Sequence, residues 1–282
     1  MRKAKMTELG RQNWGIALIL AAFVALGVVY SVVTPLFEAP DEIQHYFFVK
    51  HLADGKGLPV QGAESGGLWK QEGSQPPLYY VLGALATFWL NTDHAEELLW
   101  HNPQANMGHP ACPGNKNVLV HTERESFPYR GAALAVHLVR LLSVLMGTGT
   151  VLLTYLIALE IFPQRRALAL GAAALNAFIP QFLFIAGSVN NDNAATFFCS
   201  LALLFIVRLL RNSQFSIRDW SLLGFVLGLA ALSKLSALGL FPLAAIAAAV
   251  AAYRRRSFGP FAEGFAVALA VALLVAGWWY VR

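Results

Sequence analysis

Two adjacent carboxylates, an imidazole and an amine fall within ten residues in the stretch Pro40-Asp41-Glu42-Ile43-Gln44-His45-Tyr46-Phe47-Phe48-Val49-Lys50. A carboxylate held rigidly at a water–lipid boundary can accept a proton from an attacking hydroxyl, provided that it reaches within hydrogen-bond distance. Asp41 and Glu42 are the candidates for that base. A plainer reading is available: acids at a helix start offset the positive end of its dipole, an effect of ~0.3–1 kcal/mol. Spacing alone leaves both readings open. His45 lies i+4 from Asp41, where it orients the carboxylate, touches substrate or is simply solvated. As metal ligands, Asp41 and His45 lack a third partner, and catalytic zinc takes three protein ligands. No metal site and no cofactor are expected.

Other polar residues stand out against apolar surroundings. Gln75-Pro76-Pro77-Leu78-Tyr79-Tyr80 is either a rigid turn with interfacial tyrosines or one wall of a substrate groove. Ser188-Val189-Asn190-Asn191-Asp192-Asn193 reads as an Asn/Asp-rich turn that carries a further carboxylate, Asp192. Arg140 and Lys234 are charges in apolar runs, and such a charge at bilayer depth costs roughly 2.5–3.5 kcal/mol. They snorkel to the interface, or they recognise an anionic lipid headgroup. Gln75, Tyr79, Asp192, Arg140 and Lys234, with His45 and Lys50, form the expected substrate-binding set.

The elements that must position these groups are apolar helices. The 282 residues are 57% hydrophobic and 13% charged, with a mean hydropathy of +0.53. Soluble domains are about a quarter charged, so the composition is that of an integral membrane protein. The formal net charge of +5 is scattered in short clusters between apolar runs, which is how topology is encoded and excludes a nucleic-acid role. Cys112 lies in a polar loop and Cys199 in an apolar run, so neither a disulfide nor a CxxC metal pair is expected. No nucleotide-binding glycine loop, H-E-x-x-H or G-x-S-x-G motif occurs.

A span needs roughly 20 apolar residues. The first run, 14–36, is too long for a signal peptide and follows Arg2, Lys3, Lys5 and Arg11, so it is expected as an uncleaved span with a cytoplasmic N-terminus. Further crossings are expected at 133–161, 167–187, 194–210, 220–233, 237–253 and 259–281. Of these, 220–233 and 237–253 follow from charge: arginines flank 220–253 on both sides, which requires a hairpin turning near Ser233-Lys234-Leu235-Ser236. By the same rule Pro76–Leu90 dips into the membrane without crossing. Residues 37–130, net acidic, then form one long external loop, and 188–193 form a second on the same side. The last residues, Gly277-Trp278-Trp279-Tyr280-Val281-Arg282, read as an aromatic interface anchor beyond which further protein is expected.

The order of a first span, P-D-E-x-x-H (Pro40, Asp41, Glu42, His45), Q-P-P-L-Y-Y (Gln75–Tyr80) and an R-L-x-S helix start (Arg140, Leu141, Ser143) resembles the GT-C membrane glycosyltransferases. It is most similar to the protein O-mannosyltransferase and aminoarabinose-transferase group and to a related bacterial family with a W-W-Y-V-R-like segment. The resemblance implies an all-α, polytopic bundle over 1–282 in the inner, cytoplasmic membrane. It implies inverting transfer of a sugar from a polyprenyl-phosphate donor to an acceptor hydroxyl on the outer face. In that family a carboxylate of the first external loop is the base, and Asp41 holds that position. Many relatives carry a basic residue before Pro-Pro where this chain has Gln75, so a phosphate contact must come from elsewhere, such as Arg140 or Lys234. Two other classes fit the composition: a transporter or flippase of lipid-linked intermediates, and a non-catalytic membrane relative. Against the first, no repeated halves are found.

Overall fold

The computed structural model describes residues 2–62, 66–105, 117–211 and 215–282, with the backbone alone for 2–13. Glu64, Cys112 and Lys116, which entered the charge and cysteine readings, lie outside the described residues. The chain forms α1 (Arg2–Val33), α2 (Glu42–Ala53), α3 (Leu78–Thr87), α4 (Gly131–Ile161), α5 (Arg166–Ala177), α6 (Pro180–Ala186), α7 (Asp192–Arg211), α8 (Ile217–Ala231), α9 (Leu240–Arg255) and α10 (Gly259–Tyr280). Among the described residues the only extended pairing is a single bridge between His101 and Leu119. The protein is a polytopic helical bundle.

Among the described residues, five helical segments are long and apolar enough to cross a membrane: Trp14–Val33, Gly131–Ile161, Asp192–Arg211, Leu235–Arg255 and Gly259–Tyr280. Large apolar side chains remain exposed along them, among them Val33 and Leu274 at 72% and 82%, as lipid-facing surfaces require. Two expected crossings differ in form. The run 167–187 is broken by a 64° bend into α5 and α6. Pro180 has no N–H to continue a helix, and Ile179 before it takes an extended conformation. The run 220–233 becomes α8, whose 15 residues reach about 22 Å, short of a ~30 Å hydrocarbon core. The turn after it falls where charge placed it, at Leu232–Lys234, before a short 3₁₀ turn over Leu235–Gly239.

α3 spans only about 15 Å and cannot cross. Val81, Leu85, Phe88 and Trp89 are exposed along one face, while Tyr79, Tyr80, Gly83, Ala84 and Thr87 are buried on the other. The helix is thus seated on the bundle by its tyrosine face, with an apolar face left bare as an interfacial helix requires. The buried aromatics Phe37, Tyr46, Phe47, Phe48, Tyr79 and Tyr80 join this loop region to α4 in one core.

α8 and α10 pack through small residues. A Cβ at Gly224 would lie 2.2 Å from the Ala268 carbonyl oxygen, and one at Gly228 would lie 2.7 Å from Val275 Cβ. The backbones therefore approach as closely as the missing side chains allow, which is how helices associate in lipid, where van der Waals packing replaces the hydrophobic drive. Gly224→Ala must push α8 off α10 and is expected to destabilise the protein by about 1–3 kcal/mol. Thermal unfolding in detergent measures this, and an unchanged midpoint would show that the helices are not in contact at this glycine.

Candidate active site

The turn between α1 and α2 holds two residues in the left-handed region, Phe37 (φ 65°) and Asp41 (φ 57°). Asp tolerates this conformation better than most side chains, yet it stores strain that the surroundings must hold. α2 therefore starts at Glu42, and Asp41 is the residue before it, with no side-chain bond to the helix it precedes. The expected helical i, i+4 pairing of Asp41 with His45 is replaced by an exposed Asp41 and a buried His45.

Glu42 explains what holds the turn. It is fully buried and paired with Arg140, itself fully buried in α4. Arg140 donates Nε to Glu42 Oε1 (2.8 Å) and Nη2 to Oε2 (2.6 Å). Its remaining N–H groups go to the carbonyls of Ser31 (2.7 Å), Thr34 (2.7 Å) and Pro35 (3.0 Å) at the end of α1. Glu42 also accepts the backbone N–H groups of Phe37 (3.0 Å) and Val189 (2.8 Å). Every guanidinium N–H is used, and the carboxylate is saturated. Neither the expected base Glu42 nor the expected phosphate contact Arg140 has a group left for substrate.

Tyr79, expected as a substrate contact, is also buried structure. Its hydroxyl bonds Ser143 Oγ (2.8 Å) and accepts from Asn190 N (3.0 Å), tying α3, α4 and the 188–191 turn together. Lys50 is absent from the site because Asp54 binds its ammonium at 2.9 Å.

Asp41, Asp192 and Lys234 do converge, with Gln75 beside them. Lys234 pairs with Asp192 at the start of α7. Asn191 Nδ2 reaches Gln75 Oε1 at 3.4 Å, and Asp41, Asp192 and Lys234 all act electrostatically on both His45 and Glu72. Two residues join that sequence reading did not select. Gln71 donates Nε2 to Asp41 Oδ1 at 2.9 Å, and Glu72, 8% exposed, lies 3.5 Å from the same nitrogen. Their one signal is position, just ahead of Gln75-Pro76-Pro77, in a segment without helical periodicity. Burial pushes the Glu72 carboxyl up, and the charges of Asp41 and Asp192 add to the rise, while Gln71 and Lys234 oppose it.

His45 lies beneath this cluster. Its Nδ1 is 2.9 Å from Tyr80 Oη and 4.0 Å from Glu72 Oε2. Burial lowers its pKa to about 4, against the Asp41 charge, which raises it; Lys234 lowers it further and Asp192 raises it. The imidazole is neutral at pH 7, so its approach to Glu72 is no salt bridge. Among the described residues, no three His, Cys, Asp or Glu side chains converge as a metal site requires.

Next to the acidic cluster runs a cleft of about 470 Å³, lined by Gln61, Ser74 and Gln75 of the loop, by Leu235, and by Trp279 and Arg282 beyond. Asp41 does not line it; Gln75 and the Lys234–Leu235 step connect the two. The cleft walls carry an arginine and no acid, the reverse of the cluster beside it.

Two outcomes follow from these contacts. Arg140→Met leaves Glu42 buried without its partner and is expected to cost about 3–5 kcal/mol, read from denaturation in mixed micelles; a loss near zero would contradict the buried pair. His45 in the folded protein takes up a proton only near pH 4, whereas the unfolded chain does so near 6.5, so stability falls as pH drops through that window. The slope approaches about 1.4 kcal/mol per pH unit. His45→Gln should flatten the unfolding midpoint between pH 6.5 and 4, and an unchanged slope would place the titration elsewhere.

The family model for dolichyl-phosphate-mannose-protein mannosyltransferase matches residues 131–280, from the start of α4 to the end of α10. No curated protein and no solved structure matches the chain. The matched stretch is more than half of the chain and contains Arg140, Asp192 and Lys234; Asp41 and Glu72 precede it and are joined to it by the contacts above. On that match and on its bundle of apolar helices, the chain belongs to the dolichyl-phosphate-mannose-protein mannosyltransferase family of GT-C membrane glycosyltransferases.

Proposed function

We propose that the chain transfers a sugar from a polyprenyl-phosphate carrier to an acceptor hydroxyl in a single, inverting displacement, with Asp41 as the base. The observation that carries this reading is the division of labour between neighbours: Glu42 is saturated by Arg140 and backbone, while Asp41 is exposed and, among the described residues, bonded through one side-chain oxygen only, by Gln71. In this reading its second oxygen meets the acceptor. Asp41 takes the hydroxyl proton as the acceptor oxygen bonds to the anomeric carbon. The bond from that carbon to the phosphate oxygen breaks, and its electron pair leaves with polyprenyl phosphate.

Positive charge must meet the leaving phosphate. Lys234 in the cluster and Arg282 in the cleft beside it are the cations this reading assigns to that task, and Gln75 lines the same cleft. Trp279 and Leu235 offer the apolar surface that the first prenyl units require. The reading treats 1–282 as one domain. It sets the Asp41 end outside the inner membrane, because Arg165, Arg166, Arg208, Arg211, Arg218, Arg254, Arg255 and Arg256 all fall near helix ends at the opposite side.

Asp41→Asn is isosteric and should lower release of polyprenyl phosphate by at least about a hundredfold. The assay uses purified protein in detergent with polyprenyl phosphates carrying mannose, glucose, galactose or an amino pentose. Transfer retained by a folded Asp41→Asn variant would sink the assignment. Flipping of the carrier in vesicles without any transfer in detergent would favour a transporter.

A further inference from the structure

Asp41 is held by a side chain that is itself held. Gln71 is exposed, and nothing in its own backbone fixes which end of its amide faces Asp41. The nitrogen end is chosen by charge. Gln71 Nε2 has Asp41 Oδ1 at 2.9 Å and Glu72 Oε1 at 3.5 Å, so turning the amide over would set its carbonyl oxygen against two carboxylate oxygens. Glu72 is the buried member of this trio, 8% exposed and backed by His45 at 4.0 Å.

We infer that Glu72 is a positioning residue for the transfer reaction, acting through the Gln71 amide to hold the Asp41 carboxylate with one oxygen bound and the other presented to the acceptor. The inference rests on Asp41 being the base. Glu72 does not touch substrate and takes no proton in the step. Its own proton, when bound, removes the charge that selects the nitrogen end of the amide. The groups facing it are Asp41 and His45 at the start of α2, Tyr80 on α3, Asp192 at the start of α7 and Lys234 after α8. Asp41 and Asp192 make that proton easier to bind, and Lys234 makes it harder.

The test is a double-mutant cycle on the full chain in detergent, with the same four carrier-linked sugars as probes. Glu72→Gln and Gln71→Ala should each lower kcat about tenfold with KM within about twofold, because transition-state geometry is lost and ground-state binding is not. Combined, they should lose about tenfold in total, no more than either alone, since both act through one contact. Glu72→Asp, which keeps the charge, should recover part of the rate. Gln71 is exposed and its removal leaves the core intact, which keeps the cycle readable if Glu72→Gln folds poorly. Losses that multiply to about a hundredfold would overturn the coupling. So would a Glu72→Gln enzyme with unchanged kcat, or one with an equal loss in Glu72→Asp. If Asp41→Asn retains transfer, the assignment of the base fails and this inference with it. If Asp41→Asn is inactive and the cycle is additive, only the inference fails.

Discussion

The buried pair of Glu42 and Arg140 is the contact on which the functional end of the bundle depends. It joins the stretch between α1 and α2, through the Ser31, Thr34 and Pro35 carbonyls and Glu42, to two parts of the chain distant in sequence: α4 through Arg140 and the 188–191 turn through Val189. Removing two charges from water is unfavourable, and attraction repays this only when geometry is good and the remaining valences are filled. Here all are filled. The pair also fixes the left-handed turn at Asp41, because the residue after Asp41 is anchored and the residue four before it, Phe37, donates to the same carboxylate. A strained, exposed acid is thus placed by an unstrained, buried one beside it.

Around that anchor the charges are sorted by side and by depth. Carboxylates gather at Asp41, Glu72 and Asp192 with the ammonium of Lys234 among them. The adjoining cleft has a guanidinium and aromatic walls. In the proposed reaction the base would then act beside, and not inside, a region suited to an amphipathic anion, so that the carboxylates would not repel the leaving phosphate directly. The other end of the bundle carries arginines at helix termini, and the middle is packed by glycine and alanine, as at Gly224 against Ala268.

Much of this was legible in the sequence, for identifiable reasons. Apolar run lengths gave five of the seven expected crossings, the flanking arginines gave the turn before Leu235, and the shortness of Pro76–Leu90 gave a helix, α3, that cannot cross, since each is a local property weighed against bilayer thickness. The bend at Pro180 followed from a proline whose consequence was visible but not drawn. The order of P-D-E-x-x-H and Q-P-P-L-Y-Y picked out two segments that the fold brings together, with Asp41 beside Gln71 and Glu72. What the sequence did not separate was Asp41 from Glu42, because adjacent acids look alike until one is seen to meet a partner 98 residues away. Arg140 looked like a lipid contact for the same reason: a charge in an apolar run shows its cost, not its partner. Lys50 and Tyr79 were close in sequence to the chemistry yet turned to Asp54 and to Ser143. Glu72 was passed over because the loop around it has no period from which a direction could be read.

A base that acts on the acceptor, with no covalent sugar on the enzyme, requires the anomeric carbon to change configuration once. The anomeric configuration of the product, read by proton NMR from a carrier-linked sugar of known anomer, tests that most directly. Inversion is the expected result. Retention would mean two displacements and a covalent intermediate, and would contradict Asp41 as a base.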